Sequence, residues 1–165
     1  MAHKRANPLQ PAEALQFVVD FAQADLGNRS AKKLAVDQVW SFLATHSLVA
    51  PAYGDERSLS DQDLLSIQAD ALAVLRGLVE KESASVAVTL EISMIRRRTR
   101  IAVMELGTPH DRFMYRLVRL LERIGPNRLL VCPACRRLFV KVTRKEFCST
   151  RCQSRAYMRE YRKRN

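Results

Sequence analysis

The sequence predicts a mainly α-helical protein with one small β-hairpin, followed by a small treble-clef-like module at its C-terminal end. Three observations support this fold class. Apolar residues recur at helical spacing over much of residues 8–125. Between residues 85 and 104 the period changes to the alternation typical of strands. All four cysteines fall between Cys132 and Cys152, in a segment too short to fold on an apolar core of its own.

The first two helices are predicted from turn residues and apolar spacing. Pro11 suits the first turn of a helix that is expected to end at Leu26, because Gly27-Asn28 follows. Ser30 is expected to cap the second helix. The apolar stripe of this second helix is Leu34, Val36, Val39, Trp40 and Leu43. Residues 49–58 contain proline, glycine and several polar residues, and they predict a loop.

Two further helices have clear start signals. Ser60 with Asp63 predicts a capping box for a helix that runs to about Glu82. Its apolar positions are Leu64, Leu65, Ile67, Ala71, Leu72, Leu75 and Leu78. Thr108 is expected to cap the next helix, and Gly125 to end it. The expected core stripe of that helix is Phe113, Leu117, Leu120, Leu121 and Ile124. Its basic line is Arg112, Arg116, Arg119 and Arg123, for which a solvated helix face is the simpler interpretation.

The alternating segment predicts a hairpin. Apolar and small polar residues alternate over residues 85–94, and residues 99–104 are also rich in strand-forming residues. The run Arg96-Arg97-Arg98 then lies near the turn. No Gly, Asn or Pro marks that turn, so a continuous helix remains the alternative for this segment.

The cysteines have the spacing of a structural zinc site. Cys132-Pro-Ala-Cys135 supplies two thiolates from a tight turn, and Cys148 and Cys152 are four residues apart on the first turn of a helix. Four thiolates complete a tetrahedral site for one Zn²⁺ and leave no open position for catalysis. Unliganded structural or redox cysteines are the alternative interpretation.

A small scaffold is expected between the two cysteine pairs. The segment Arg128-Leu129-Leu130 is interpreted as a connector from the preceding helix. Alternation of Leu138, Val140 and Val142 predicts a short hairpin within residues 136–147. Phe139 and Phe147 are candidates for the miniature core. A knuckle, a hairpin and a helix that carries the second cysteine pair make a treble-clef finger.

Charge is divided along the chain. Residues 1–93 contain 8 Lys and Arg against 12 Asp and Glu, whereas residues 94–165 contain 20 against 5. A basic half beside a mildly acidic half indicates a polyanion partner, although a merely soluble basic tail would look similar. The helix expected from Ser149 to Lys163 repeats basic residues on one side. The predicted nucleic-acid contacts are Arg151, Arg155, Arg159, Arg162 and Lys163.

Other functional classes find little support. No apolar run approaches the ~18 residues of a membrane span, and no signal-peptide pattern follows the basic N-terminus. Clustered cysteines favour a metal in a reducing compartment, so a cytoplasmic location without membrane association is expected. There is no Gly-rich phosphate loop, serine elbow or carboxylate pair beside a histidine, so no enzyme activity is predicted. His3, His46 and His110 are interpreted as ordinary histidines.

The cysteine region resembles a known family. The stretches from Cys132 to Phe139 and from Phe147 to Arg155 resemble the CGNR-type zinc finger, which follows an ABATE domain in bacterial proteins regarded as stress-related transcriptional regulators. The Cys-Gly-Asn-Arg signature reads Cys152-Gln-Ser-Arg155 here, and a broader class of bacterial fingers ending in Phe-Cys-Ser fits equally well. The resemblance implies that the N-terminal domain senses a signal or forms a homodimer.

These observations predict two domains and one main function. A helical ABATE-like regulatory domain is expected over residues 8–125, and a four-cysteine finger with a basic helix over residues 128–165. The predicted function is that of a DNA-binding transcriptional regulator. Two alternatives stay open: a protein-interaction module whose zinc is purely structural, and an RNA- or ribosome-binding protein.

Overall fold

The computed structural model describes residues 10–45, 59–81, 83–97, 100–142 and 145–164. Helices dominate, and the strands form two small antiparallel pairs, so the predicted fold class is confirmed. The predicted loop over residues 49–58, like His3 and His46, lies outside the described residues. The elements in chain order are α1 (Pro11–Ala22), α2 (Arg29–Thr45), α3 (Asp61–Glu80), β1 (Glu91–Arg97), β2 (Arg100–Leu106), α4 (Pro109–Ile124), a 3-10 turn (Pro126–Arg128), β3 (Leu129–Val131), β4 (Leu138–Val140) and α5 (Thr150–Arg164).

The main core lies between the first four helices. Its centre is an aromatic group in which the Phe113 ring lies 5.7 Å from Phe21 and 4.9 Å from Phe42, centroid to centroid, in tilted arrangements that suit aromatic quadrupoles. Helices α1, α3 and α4 pack against one another, and α2 packs against α4. The largest fully buried side chains include Leu15, Val18, Val39, Leu43, Leu64, Ile67, Leu75, Met114 and Leu117. The apolar faces of the amphipathic helices therefore meet in one core.

The predicted caps of α3 and α4 are confirmed. Ser60 Oγ accepts the backbone N–H of Asp63, and the Asp63 carboxylate accepts the Ser60 N–H. Thr108 Oγ1 likewise accepts the Asp111 N–H at 3.1 Å. Helix α4 ends at Gly125, whose φ of 84° suits a residue without a Cβ. Local chemistry therefore sets both starts, as the sequence predicted.

The predicted boundary between α1 and α2 was wrong at two points. Helix α1 ends at Ala22 rather than Leu26. The Gln68 side chain donates to the carbonyls of Phe21 and Ala24, so a tertiary contact satisfies the end of this helix and Leu26 turns into the core. Helix α2 begins at Arg29, and Asn28 Oδ1 instead of Ser30 caps it by accepting the Ala31 N–H at 2.7 Å.

The apolar stripes are shifted in two helices. Leu34 was expected in the core but is 59% exposed, and Ala35 takes the buried position beside Val39. Leu65 on α3 is also exposed. Adjacent apolar residues fit a helical period almost equally well, so only the neighbouring helices decide which of them is buried.

The basic line on α4 is not a single solvated face. Arg116 is only 5% exposed, and its guanidinium donates to the carbonyl of Leu43 in the last turn of α2. Carbonyls there have no intrahelical partner and carry the negative end of the helix dipole, so a cation is favourable. The solvated-face interpretation was therefore wrong for Arg116.

The hairpin prediction is confirmed, and the continuous-helix alternative is wrong. β1 pairs with β2 in antiparallel register from Glu91 opposite Leu106 to Arg97 opposite Arg100. The strand begins at Glu91 rather than near residue 85, because β2 ends where α4 is about to begin and leaves residues 83–90 no partner strand. Within that unpaired segment, the Thr89 N–H donates to an Asp111 carboxylate oxygen instead.

The second strand pair is attached to α1 by two glutamine side chains. The Gln23 amide accepts the Leu138 N–H at 2.8 Å and donates to the Leu138 carbonyl at 3.0 Å, as a neighbouring strand would. Gln16 Oε1 accepts the Val140 N–H at 3.0 Å. The edge of β4 that faces away from β3 is thus paired to a helix, which satisfies polar groups of a sheet edge.

We expect Gln23→Leu to lower the free energy of unfolding by about 1–3 kcal/mol, because it leaves the N–H and carbonyl of Leu138 unpaired in a partly buried place. Denaturant unfolding measures the loss. Gln38→Leu is the matched control, because Gln38 is also half-buried and none of the hydrogen bonds described here involves it; its change should stay within ~0.5 kcal/mol. Equal losses in both variants would contradict the docking role.

Candidate metal centre

The first cysteine pair lies in a turn that joins β3 to β4. These strands pair antiparallel, with Leu129 opposite Val140, and the turn is closed by two backbone bonds of 2.8 Å, from Cys132 N to the Arg137 carbonyl and from Arg136 N to the Cys132 carbonyl. The expected hairpin within residues 136–147 was therefore wrong. The segment interpreted as a connector supplies the partner strand, and Val142 lies exposed beyond the pairing.

One residue of this turn has a left-handed backbone. Arg136 has φ of 62°, and no other non-glycine residue of the described chain has a positive φ. This conformation costs a residue with a Cβ roughly 1–2 kcal/mol. The turn needs it, because the chain must reverse directly after Cys135 for β4 to return along β3. The strain is thus located next to a candidate ligand.

The second pair is positioned by the start of α5. Ser149 caps this helix: its Oγ accepts the Cys152 N–H at 3.2 Å, and its carbonyl accepts the Gln153 N–H. Cys148 precedes the cap and Cys152 occupies the first turn, so both sulfurs lie by the positive end of the helix. The first turn of α5 therefore sets the position of the second pair of candidate ligands.

The four sulfurs converge on one point. Cys148 Sγ lies 3.5 Å from both Cys135 Sγ and Cys152 Sγ, and all four sulfurs lie within 4.8 Å of one another. A tetrahedral ion with metal–sulfur bonds of ~2.3 Å keeps its sulfurs roughly 3.8 Å apart, whereas a disulfide joins them at ~2.05 Å. The separations therefore fit four ligands of a single metal ion.

The centre is partly shielded from water. Cys132 and Cys152 are buried, Cys135 is half-buried and Cys148 reaches the surface. Phe139 is buried against Cys132 and Cys152, and Phe147 and Leu130 pack beside them. Both phenylalanines were expected in this miniature core, and their placement is confirmed. The apolar cluster directly around the sulfurs is small, so the ligands themselves contribute much of the contact at this point.

The thiols differ strongly in acidity. Burial acts to raise the pKa of Cys132, but backbone N–H groups of Cys148, Ala134 and Cys135 outweigh it and lower the pKa from 9.0 to about 6. Burial, followed by the sulfurs of Cys135, Cys152 and Cys132, raises the pKa of Cys148 to about 12. Burial also raises the pKa of Cys135. Several thiolates repel one another here unless a cation lies between them.

No other metal-ligating cluster occurs in the described parts of the chain. His110 is half-buried at the start of α4, where its Nε2 lies 2.8 Å from an Asp70 carboxylate oxygen, far along the chain from the cysteines. Its interpretation as an ordinary histidine agrees with this pairing. None of the described helices is both long and apolar enough to cross a membrane.

The predicted nucleic-acid residues all lie on α5. Among the residues of this helix only Cys152 is buried. At ~100° per residue, Arg151, Arg155, Arg159 and Arg162 span an arc of about 80° around the helix axis. Within the described residues, no acidic side chain pairs with these four arginines. Tyr157 and Tyr161 are exposed on another side of the helix. The predicted residues that the structure groups on one exposed surface are Arg151, Arg155, Arg159, Arg162 and Lys163.

Comparison with known proteins gives no match to any protein family, curated protein or solved structure. The resemblance to the CGNR-type finger therefore remains a prediction. Sequence reasoning missed three supports of the site: the left-handed Arg136, and the glutamines Gln16 and Gln23 that anchor β4. No local pattern signals any of them.

Metal affinity should rise steeply with pH. At pH 7 the Cys135 and Cys148 thiols retain their protons, whereas Cys132, with a pKa of about 6, is mostly ionised. Binding therefore expels at least two protons, and apparent affinity should increase at least ~100-fold per pH unit from pH 7 to 8. Co²⁺ titrations followed by absorbance, with a competing chelator, measure this slope. A tenfold change or less per unit would contradict four-thiolate binding.

Relief of the left-handed residue should be measurable. We expect Arg136→Gly to keep or raise the melting temperature of the metal-loaded protein, because glycine adopts φ of 62° without the Cβ clash. Arg137→Gly is the matched control: it removes the same charge from a residue without positive φ and should destabilise by about 0.5–1 kcal/mol. If Arg136→Gly is the more damaging variant, the arginine side chain has a role of its own.

Proposed function

We propose that Cys132, Cys135, Cys148 and Cys152 hold one structural Zn²⁺. An all-sulfur, four-ligand site with tetrahedral separations suits zinc, which has no geometric preference of its own and favours thiolates. Four protein ligands leave no open coordination position for substrate or water. The ion therefore stabilises the fold, with roughly 10–16 kcal/mol of binding free energy typical of small fingers.

We further propose that the protein binds duplex DNA through α5 as a cytoplasmic transcriptional regulator. The observation that carries this proposal is the exposure of α5: after Cys152 the helix buries no residue, and its arginines have no acidic partner among the described residues. A helix held only at its start by a metal centre can enter a major groove about 12 Å wide without clashing with its own domain.

The charge pattern supports the same partner. From Arg128 to the end of the sequence there are 12 basic and 2 acidic residues, whereas residues 1–93 are mildly acidic. Phosphates attract the basic end far more strongly than the rest of the chain, so the chain is oriented as it approaches DNA. The arginines then neutralise phosphates, and one or two of them reach base edges. The helical domain supplies the regulatory input that the family resemblance implies.

A second candidate function is a purely structural finger. It is favoured by the attachment of β4 to α1 through Gln16 and Gln23, and by Leu129, Leu138 and Val140, which are buried in the same core as the helices. In that case the metal module completes the helical domain, and α5 contacts another protein. The two candidates differ in what the α5 arginines do.

The DNA proposal predicts a specific loss in Arg155→Gln/Arg159→Gln. Two lost phosphate contacts should weaken duplex binding by roughly 30-fold at 0.15 M salt and flatten the log–log salt dependence by about two. Fluorescence anisotropy with full-length protein, shown by elemental analysis to carry one zinc, measures both quantities. Lys33→Gln/Arg76→Gln is the matched control, because both residues are exposed and lie on α2 and α3.

Two outcomes would overturn the DNA proposal. Parent-like binding by the α5 variant at moderate salt would leave the arginines without a role in nucleic-acid binding and favour the structural finger. Structured RNA that outcompetes every duplex tested would move the function to RNA binding.

A further inference from the structure

A cleft lined mainly by apolar side chains lies between α3, α4 and the chain that follows α3. Helix α3 contributes Val74 and Leu78, α4 contributes Val118 and Leu121, and Leu129 of β3 completes the apolar lining. The volume of this α3–α4 cleft is about 290 Å³. Protein interiors pack with few voids larger than a water molecule, so a space of this size in a small helical domain is a candidate ligand site.

One wall of the α3–α4 cleft is the segment after α3, which is held against both helices. A Cβ added at Gly77 would lie 2.9 Å from the Ser83 carbonyl oxygen and 3.2 Å from the Ala84 Cβ, so the chain passes α3 at a distance that only glycine permits. Further along, the Thr89 N–H donates to an Asp111 carboxylate oxygen on α4. The wall is therefore attached to both helices, and these attachments keep it from collapsing into the cleft.

Small side chains on this wall leave the space open. The residues of the wall that line the cleft are Ala84, Ser85 and Val86. Across the cleft, Val118 is 41% exposed although it is apolar, and Leu121 and Val86 are only partly buried against the main core. Apolar surface therefore remains in contact with water here, and a ligand that covers it gains the free energy of apolar burial.

The lining favours an uncharged ligand of limited size. Among the described residues that line the cleft, Glu122 is the charged one, and the Arg119 guanidinium donates to its carboxylate at 2.6 Å. A carboxylate or phosphate buried in the cleft would have no cationic side chain of the lining to pair with, which is costly. An apolar cavity of ~150 Å³ holds benzene, so this cleft has room for about two such rings.

We propose that the α3–α4 cleft binds an uncharged apolar molecule about the size of two fused aromatic rings. The ligand covers Val118 and Leu121, and the Ser85 hydroxyl gives the wall one polar group for orientation. It also contacts Leu129, which is 3% exposed and lies in the strand that leads to Cys132. This inference does not depend on the partner of α5.

The first test titrates 2-naphthol into full-length, zinc-loaded protein and follows backbone amide chemical shifts by NMR. We expect saturable shifts with 1:1 stoichiometry at residues 84–86, in α3 and α4 beside the cleft, and in β3. The matched control ligand is 2-naphthoate, which should bind at least about tenfold more weakly, because its carboxylate finds no cation in the lining. The proposal is overturned if the cleft residues show no saturable shift up to the solubility limit of 2-naphthol. Equal affinity for 2-naphthoate would contradict the uncharged ligand class.

The second test fills the α3–α4 cleft from opposite walls. Val118→Phe and Ala84→Leu should each weaken 2-naphthol binding at least about tenfold, yet keep or raise the melting temperature, because the added carbons bury apolar surface in unfilled space. Leu65→Phe is the matched control: Leu65 is a 43% exposed apolar residue of α3 outside the lining, and its change should alter affinity less than about twofold. Parent-like affinity in both filling variants, or an equal loss in Leu65→Phe, would show that 2-naphthol binds elsewhere and would refute the assignment.

Discussion

The fold of the C-terminal part depends on four cysteine sulfurs that lie close together, although their thiolate forms repel one another. Cys135 and Cys152 each lie 3.5 Å from Cys148, and the effect on an uncompensated cluster is visible in the pKa of Cys148, raised to about 12 by burial and by the surrounding thiols. The apolar cluster around them is small. A cation among the sulfurs converts repulsion into four strong bonds, so the turn and the start of α5 hold their positions together.

The β3–β4 pair connects that centre to the helical core by the simplest property of a strand, the alternation of its side chains. Leu129, Leu138 and Val140 belong to the core formed by the helices, whereas Leu130 and Phe139 pack on the cysteines. Alternate side chains of each strand therefore point to opposite faces, one of which packs on the helical core and the other on the cysteines. The glutamines of α1 pair with the remaining edge of β4. Rigid support of the metal ligands thus comes from the main core.

Sequence reasoning succeeded where a feature depends on neighbours along the chain. The starts of α3 and α4 at Ser60 and Thr108, and the grouping of the four cysteines, follow from spacing and capping chemistry. It failed where a distant residue decides the outcome. Gln68 ends α1 early, and a partner strand from residues 129–131 replaced the local hairpin expected near Val142. Such contacts have no local signature because the chain must fold before they exist.

The arginines show the same difference between features set by neighbours along the chain and features set by distant residues. Arg116 was part of a regular basic line, but in the fold it is the buried charged residue of the described chain, fixed to the Leu43 carbonyl at the end of α2. Desolvation of a guanidinium is costly, so it is buried only where acceptors compensate it. The arginines of α5 have no such role: the helix buries only Cys152, and its cations stay hydrated. A cationic side chain that makes no stabilising contact within the fold can bind a ligand at little cost in stability. Exposed cations on a firmly anchored helix are therefore the better candidates for binding.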